Sequence, residues 1–569
     1  MSRLASLLLA LALLAPLASA QTVRVTADVT ANTTWTAGNT YLLDGLVFVA
    51  SGARLTIEAG TVVKGVEASN ITTGDGASAL VVRRGAQLVA DGTQDAPVIF
   101  TAEIDDVADP FDTLPTDRGL WGGVIVLGRA PTNANDGAGN RIDVQVEGIP
   151  AEEDALYGGS DPDDSSGSLT FVSIRHGGFS ISGVEGDEIN GLTLGAVGAG
   201  TTVEHVEVYA NLDDCFEFFG GTVEAKYLAG AFCGDDTFDY DEGFSGKGQY
   251  WFSLQAADIA GRAGEHDGGN NSLGGEGSSP FSIPTISNVT YIGSGQSAAP
   301  TNDDGNSPAV FFRDNAGGRY YNSVWTDFPA QALRIEDLAS GADSRERLDA
   351  GDLVVANSLF WAFGAYDGTL ASLVQEGADR TPASAVVPAL TAAGTVYTDP
   401  GLRGVGRAQG AAALDPRPGP GTAAAAGADF SAAPLADDFF DAVDYRGAFA
   451  PSGRGWLAGW TALDSDGFLN ASFATATTAG PAGDRLALDA FPNPTRGDAT
   501  VRFTLDRTQT VRITLVDALG RRVAVVADGT FAAGAAAVPV PTAGLAPGVY
   551  VLRLDAEAGA ATRTVSVVR

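Results

Sequence analysis

The sequence predicts an all-β chain: a right-handed parallel β-helix over residues 21–470, then a small antiparallel β-sandwich over residues 488–569. Three observations predict it. Glycine is abundant at 73 of 569 residues, among frequent Asp, Asn, Ser and Thr, a mixture suited to many short strands joined by turns. Short sequence motifs recur at spacings that fit the coils of a solenoid. The last 80 or so residues read as short strands separated by Gly and Asp turns.

The N-terminus comes first. Arg3 precedes an apolar run from Leu4 to Leu17, and Ala18-Ser19-Ala20 is a small-x-small site. This is the pattern of a secretory signal peptide over residues 1–20, cleaved between Ala20 and Gln21. No later stretch is long and apolar enough to span a bilayer as a helix, so no integral membrane span is expected.

Strand-like segments follow, including Tyr41 to Ala50, Ala53 to Glu58, Thr61 to Val66 and Ala79 to Arg83. Gly52-Ala53-Arg54-Leu55 returns as Gly85-Ala86-Gln87-Leu88, thirty-three residues on, with a loop near Ser69 to Gly76 taking up the excess. A second pair of repeats lies mid-chain. Val203-Glu204-His205-Val206 matches Val223-Glu224-Ala225-Lys226 at an offset of twenty, and Asp213 to Phe218 matches Asp235 to Tyr240 at twenty-two. In a parallel solenoid equivalent residues stack about 4.8 Å apart. Phe216 is therefore expected on Phe238 and Phe218 on Tyr240, with Cys215, Glu217, Thr237 and Asp239 on the other face.

Polar insertions at Thr132 to Asn140, Glu152 to Gly167, Gly261 to Pro280 and Ala298 to Asn306 read as loops leaving the coils. Ala383 to Ala393 reads as a short helix. Residues 436–470, with Phe439, Phe440, Tyr445, Phe449, Trp456 and Trp460, read as an aromatic cap over the solenoid's end. Residues 471–487 are rich in Ala, Thr and Gly and read as a linker. The sandwich strands are expected at Thr500 to Leu505, Val511 to Val516, Arg522 to Ala527, Gly548 to Leu554 and Ala561 to Val567.

Charge narrows the function. The formal net charge is −36, with 70 acidic and 34 basic residues. A nucleic-acid binder needs a positive footprint that is missing here, and an anionic membrane surface is disfavoured on the same ground.

The strongest candidate site is an acidic cluster: Asp213, Asp214, Glu217, Asp235, Asp236, Asp239, Asp241 and Glu242. Stacked carboxylates repel unless a cation, a basic group or a shared proton intervenes. Calcium accepts several oxygen ligands in flexible geometry, so it is the one cofactor this cluster points to. A solvated acidic face and a pair of catalytic carboxylates are the other two readings. Cys215 and Cys233, the only cysteines, are read either as a disulfide beside this cluster or as two buried thiols. His176, His205 and His266 form no metal-spacing motif; His205 reads as a hydrogen-bonded strand residue and His266 as part of a polar loop. Asp303 to Asn306 and Asp314-Asn315, with Tyr320, Tyr321, Trp325 and Trp361, read either as a glycan or cell-surface ligand site or as internal packing.

The C-terminal domain resembles the type A sorting domain of the type IX secretion system. The resemblance rests on Phe491-Pro492-Asn493-Pro494 with Gly497, on Leu515 to Gly520 including Asp517, and on Leu545 to Tyr550 including Gly548. It covers about the last 80 residues and departs from the pattern in ending on Arg569 rather than lysine. It implies a Bacteroidetes-like producer, handling by the type IX machinery, and secretion to the outer cell surface. The preceding region resembles secreted β-helix proteins that carry the same sorting domain, through Gly119-Leu120-Trp121-Gly122-Gly123, Asp213 to Glu217 and Asp438 to Phe449. Two functions remain open: a binding or scaffold protein stabilised by calcium, or an extracellular polysaccharide lyase or glycoside hydrolase.

Overall fold

The computed structural model describes residues 21–150, 155–181, 189–259, 261–270, 273–299, 308–474, 487–491, 493, 495–505, 508–517, 521–532, 534–556 and 559–568. The expected signal segment, Ala20, Pro492, Pro494 and Gly520 lie outside them, as do Asp303 to Asn306. The chain forms two compact units, residues 1–477 and 478–569.

The first unit is a parallel β-solenoid. Among the described residues, one sheet has nine parallel strands in regular coil order, and a second of nineteen strands bends to form the other faces. Apolar side chains point inward from every coil and merge into one core, with Leu43, Leu55, Leu80, Phe100, Phe216, Phe238 and Phe312 fully buried. The first repeat pairs as expected: Arg54 on Gln87 and Leu55 on Leu88. Phe216 stacks on Phe238 with ring centroids 5.3 Å apart, and Phe218 pairs in register with Tyr240.

The offset of twenty does not hold. Val203 pairs with Ala225 and Glu204 with Lys226, an offset of twenty-two. Both offsets are even, so either keeps inward residues inward. The aromatic pairs, also twenty-two apart, set the coil length.

Long strands turn a corner without a break. Gly167–Arg175, Thr202–Tyr209 and Glu224–Ala231 each contain one non-glycine residue with positive φ: Phe171, His205 and Tyr227. Tyr250, Asn288, Asn322 and Asn357 occupy the same corner in later coils, as the flanking registers show. The left-handed conformation strains a ring-bearing residue, and asparagine tolerates it better. Stacking offsets the strain in the first group: successive ring centroids from Phe171 to His205, Tyr227 and Tyr250 lie 4.3, 4.3 and 4.8 Å apart. In the second group Asn357 Nδ2 donates to Asn322 Oδ1 at 2.8 Å.

The aromatic segment expected over the solenoid's end lies along its flank instead. Trp460 meets Phe171 and His205, Trp456 meets Tyr227, and Phe449 meets Phe252. The cause is the outward-facing apolar side chains Tyr209, Ala229, Phe252 and Ile292, which need cover on that side. The strap is pinned by Glu207, fully buried, whose carboxylate accepts Ala462 N at 2.6 Å and Leu463 N at 3.2 Å. Helix Ala383–Ala392 forms as expected and adds Ala383, Val386 and Leu390 to the main core beside the last coils. Ala471–Ala474, within the expected linker, is one helical turn.

Among the described residues the second unit has a three-stranded and a four-stranded antiparallel sheet. Val501, Phe503, Val511, Ile513, Leu515, Leu552, Leu554 and Val565 fill its core. The five expected strands form, and two more appear: Ala487–Phe491 and Gly534–Val540. The latter holds Pro539 and, among the described residues, pairs only with Ala499–Leu505, so it is an edge strand, where proline is tolerated. Asn493 fastens the domain's entry to its last strand: Nδ2 donates to Thr564 O at 2.9 Å and Oδ1 accepts Ser566 N at 2.7 Å. Gly497 O accepts the Thr542 hydroxyl at 2.5 Å, and Tyr550 Oη donates to Ala546 O at 2.9 Å. Asp517 pairs with Tyr550 through the backbone, and Gly548 opens strand Gly548–Ala556.

Candidate functional site

The nine-stranded sheet carries the site on its outer face. In strands Phe216–Phe219 and Phe238–Asp241 alternation sends Phe216, Phe218, Phe238 and Tyr240 inward, and Glu217, Phe219, Asp239 and Asp241 outward. Parallel register then stacks Thr193, Glu217, Asp239, Glu265, Phe311 and Arg334 in one column across successive coils. Asp267 pairs with Arg313 beside it.

These side chains line a groove of about 490 Å³. Eleven of its sixteen lining residues are Asp or Glu, and Arg313 is the one basic residue among them. Of the sequence candidates, Asp213, Asp214, Glu217, Asp235, Asp236, Asp239 and Asp241 line it. Glu242 does not; it follows at the corner, buried, and accepts the Tyr157 hydroxyl at 2.9 Å. Sequence reasoning assigned Asp314 to the glycan reading rather than to this cluster, and it missed Glu147, Glu265, Asp267 and Arg313. One signal was available. Glu265-His266-Asp267 repeats the acid–ring–acid alternation of Asp239-Tyr240-Asp241, and Asp239 pairs with Glu265.

Three overlapping triads bring carboxylate oxygens within 4.8 Å of one another: Asp213, Asp214 and Asp235; Asp214, Glu217 and Asp239; Asp236, Asp239 and Glu265. Asp214 and Asp239 each belong to two. Burial comes first in pushing Asp214, Glu217, Asp239 and Asp241 well above the usual carboxylate range, and neighbouring acids add to it. Glu265 is pushed up to about 8 by burial, then by Asp236 and Asp267. Burial also takes Glu242 to about 7 and Asp314 to about 6.

The fit to a cation rests on orphaned oxygens. Glu217 Oε1 and Asp239 Oδ1 are buried with no hydrogen-bond partner, and Glu217 is only 4% exposed. Leaving such atoms unpaired is costly. Ligand oxygens 2.3–2.6 Å from one calcium ion lie at most about 5 Å apart, which the triads satisfy. The donor set is all oxygen, which suits calcium or magnesium over zinc.

The cations at the groove's far end are already engaged. Arg313 holds Asp267 through two bonds, at 2.6 and 2.8 Å. Burial alone lowers the Arg313 guanidinium, but Asp267 and Glu265 outweigh it and raise it above its ordinary value. Arg262 stands 3.3 Å from Asp236 and 2.9 Å from Glu265.

The remaining candidates sit in the frame around the groove. Cys215 and Cys233 form a disulfide; Cys215 is fully buried in the core rather than on the acidic face. Thr237 is also buried and shares a hydrogen bond with Ser253 at 2.8 Å. His205 has no hydrogen-bond partner at Nδ1 and sits in the ring stack, with burial holding it down at about 4. His266 lies in strand Gly264–Asp267, not a loop, stacked 3.9 Å from the Tyr240 ring and bonded to Tyr320 Oη at 2.7 Å. His176 is buried, with Nδ1 against Asp117 O. Tyr320 and Trp325 are internal, whereas Trp361 is 37% exposed.

Comparison with known proteins agrees with this architecture. Residues 27–387 match the model of the pectate-lyase like β-helix domain. Residues 489–568 match the secretion system C-terminal sorting domain. No curated protein matches the chain. Among the described residues no helix is long and apolar enough to cross a membrane. The parallel coils and the match over most of the chain agree, so this protein belongs to the pectate-lyase like β-helix family and carries a type IX sorting domain that directs it to secretion and the cell surface.

Proposed function

We propose that the exported solenoid is a cation-dependent binding or scaffold protein, with calcium held in the acidic groove. The observation that carries this reading is the pair of buried, unpartnered oxygens on Glu217 and Asp239 inside overlapping carboxylate triads. Asp214 and Asp239 serve as shared ligands, and the bound charge relieves the repulsion along the column. The ligand held at the surface is a glycan or another cell-surface molecule. The apolar segment before Gln21 serves as the signal peptide, removed on export, in keeping with the sorting domain.

Polysaccharide cleavage is the second reading, favoured by the family description itself. Elimination from a uronate needs a base able to give up its proton near neutrality. Arg313 is held protonated by Asp267 and is a poor base. Glu265, at about 8, is a group that can deliver a proton near neutrality.

A glycan array and a degradation screen, each with calcium and with EDTA, separate the readings. Calcium-dependent retention without new chain ends supports binding. Unsaturated or reducing ends that increase with time establish an enzyme. Retention that ignores EDTA removes calcium from the account.

A further inference from the structure

A second hollow lies on the ridge where the early coils turn from the nine-stranded sheet into the larger one. Its volume is about 360 Å³, at the lower end of small-ligand pockets and suited to one sugar ring. It owes its shape to the first repeat. Gly52 and Gly85 both have positive φ, +85° and +81°, and Gly52 N donates to Gly85 O at 2.9 Å. Their stacked turns leave a floor without side chains. At Gly85 the vacancy is needed: a Cβ there would lie 2.2 Å from Arg129 Nη2. Arg129 thus crosses the glycine turn and reaches the hollow from one side. Arg54 reaches it from another, its Nε donating to Gln87 Oε1 at 2.9 Å.

The charge pattern is unusual for this protein. Acidic residues outnumber basic ones 70 to 34, yet neither Arg54 nor Arg129 has an ion-pair partner among the described residues. Their neighbours behave differently: Arg84 forms an ion pair with Asp143 at 2.7 Å, and Arg83 lies 3.9 Å from Asp28. Asp164 is the one carboxylate lining the hollow, and its Oδ2 accepts Arg129 N at 3.1 Å. That bond directs the carboxylate to the backbone and leaves both guanidinium groups with donors to spare.

The geometry points to a binding site for an oxyanion, carried on a sugar-sized ligand, between Arg54 and Arg129 at the Gly52–Gly85 turn. Sulfate, phosphate and carboxylate share the chemistry that guanidinium forks recognise. Gln87, Ser165 and Asn32 supply polar groups for ring hydroxyls. The site lies on a ridge, apart from the sheet face that carries the acidic groove, and needs no metal.

The test titrates the full chain with glucose 6-sulfate, sodium sulfate and glucose by calorimetry or ligand-observed NMR. Saturable binding of glucose 6-sulfate that exceeds that of glucose is expected. Sodium sulfate alone matching it would support the oxyanion site and assign it to free anions rather than sugar-borne ones. Arg129→Gln and Arg54→Gln should each weaken binding by about 10-fold or more, the usual worth of a charge-assisted hydrogen bond. Arg84→Gln should leave binding unchanged, and unfolding curves of all three variants confirm that the turn survives. Equal affinity for glucose, unchanged affinity in the Arg54 and Arg129 variants, or no saturation by about 10 mM would overturn the proposal.

Discussion

Replacing Asp239 with asparagine should stabilise the metal-free protein and remove most of its response to calcium. Asp239 shares one triad with Asp214 and Glu217 and another with Asp236 and Glu265, all oxygens within 4.8 Å. Two ionised groups at that separation repel by about 3.5 kcal/mol at an effective dielectric constant near 20. Proton uptake relieves part of this, so a net gain of about 1–3 kcal/mol is expected at pH 8 without metal. At pH 5.5 the gain should shrink, because burial raises the native carboxyl's affinity for a proton and favours its neutral form as the pH falls. The same logic sets the wild-type pH profile. Glu265 rises from an ordinary 4.5 to about 8, so the folded state holds an extra proton between those values. Its contribution is full below about pH 4.5 and is lost as the pH climbs through 8. Calcium replaces those protons, so its stabilisation should grow over the same window. At a calcium concentration 100 times Kd, wild type should gain about 2.7 kcal/mol and Asp239→Asn less than half of that. Thermal and urea unfolding at the two pH values, with EDTA and with calcium, provide the readout. A variant that is less stable without metal and keeps the full calcium gain would refute the reasoning.

Three further outcomes concern the frame. The Cys215→Ala, Cys233→Ala double variant opens a loop of 18 residues and should lose about 3 kcal/mol, measured by urea unfolding beside reduced wild type. Glu207→Ala removes the acceptor of two strap N–H groups and should cost about 2–4 kcal/mol, with limited proteolysis cutting first within residues 400–473. Asn322→Ala places a Cβ residue without a compensating amide at φ +54° and breaks bonds to Asp429 O and Asn357; a loss of about 1–3 kcal/mol should appear in unfolding midpoints.

Much of the architecture was legible because a solenoid writes its geometry locally. The Phe216–Phe238 pair carries both coil length and facing in its spacing and alternation, and Glu217 beside Asp239 follows from it. Glu265 and Arg313 escaped because the coil length changes there: Glu265 follows its partner Asp239 by twenty-six residues rather than twenty-two, and Arg313 follows Asp267 by forty-six, so no fixed period leads to them. The strap was legible as aromatic but not as a flank cover. Its destination depends on Tyr227, Tyr250 and Phe252 facing outward, and a sequence alternation does not show which outward rings will be covered. His205 looks like any polar strand residue until its positive φ and its stack with Phe171 and Tyr227 are visible. In the C-terminal unit, Gly534–Val540 was missed because Ala-rich sequence with a proline carries little strand signal.

Calcium titration of the full chain by calorimetry at pH 8, beside the Glu217→Gln, Asp239→Asn double variant, tests the central claim most directly. Wild type should bind calcium saturably and release protons on binding, and the double variant should lose that binding by about 10-fold or more. Identical isotherms for the two proteins, or none with measurable heat, would contradict a cation role for the groove.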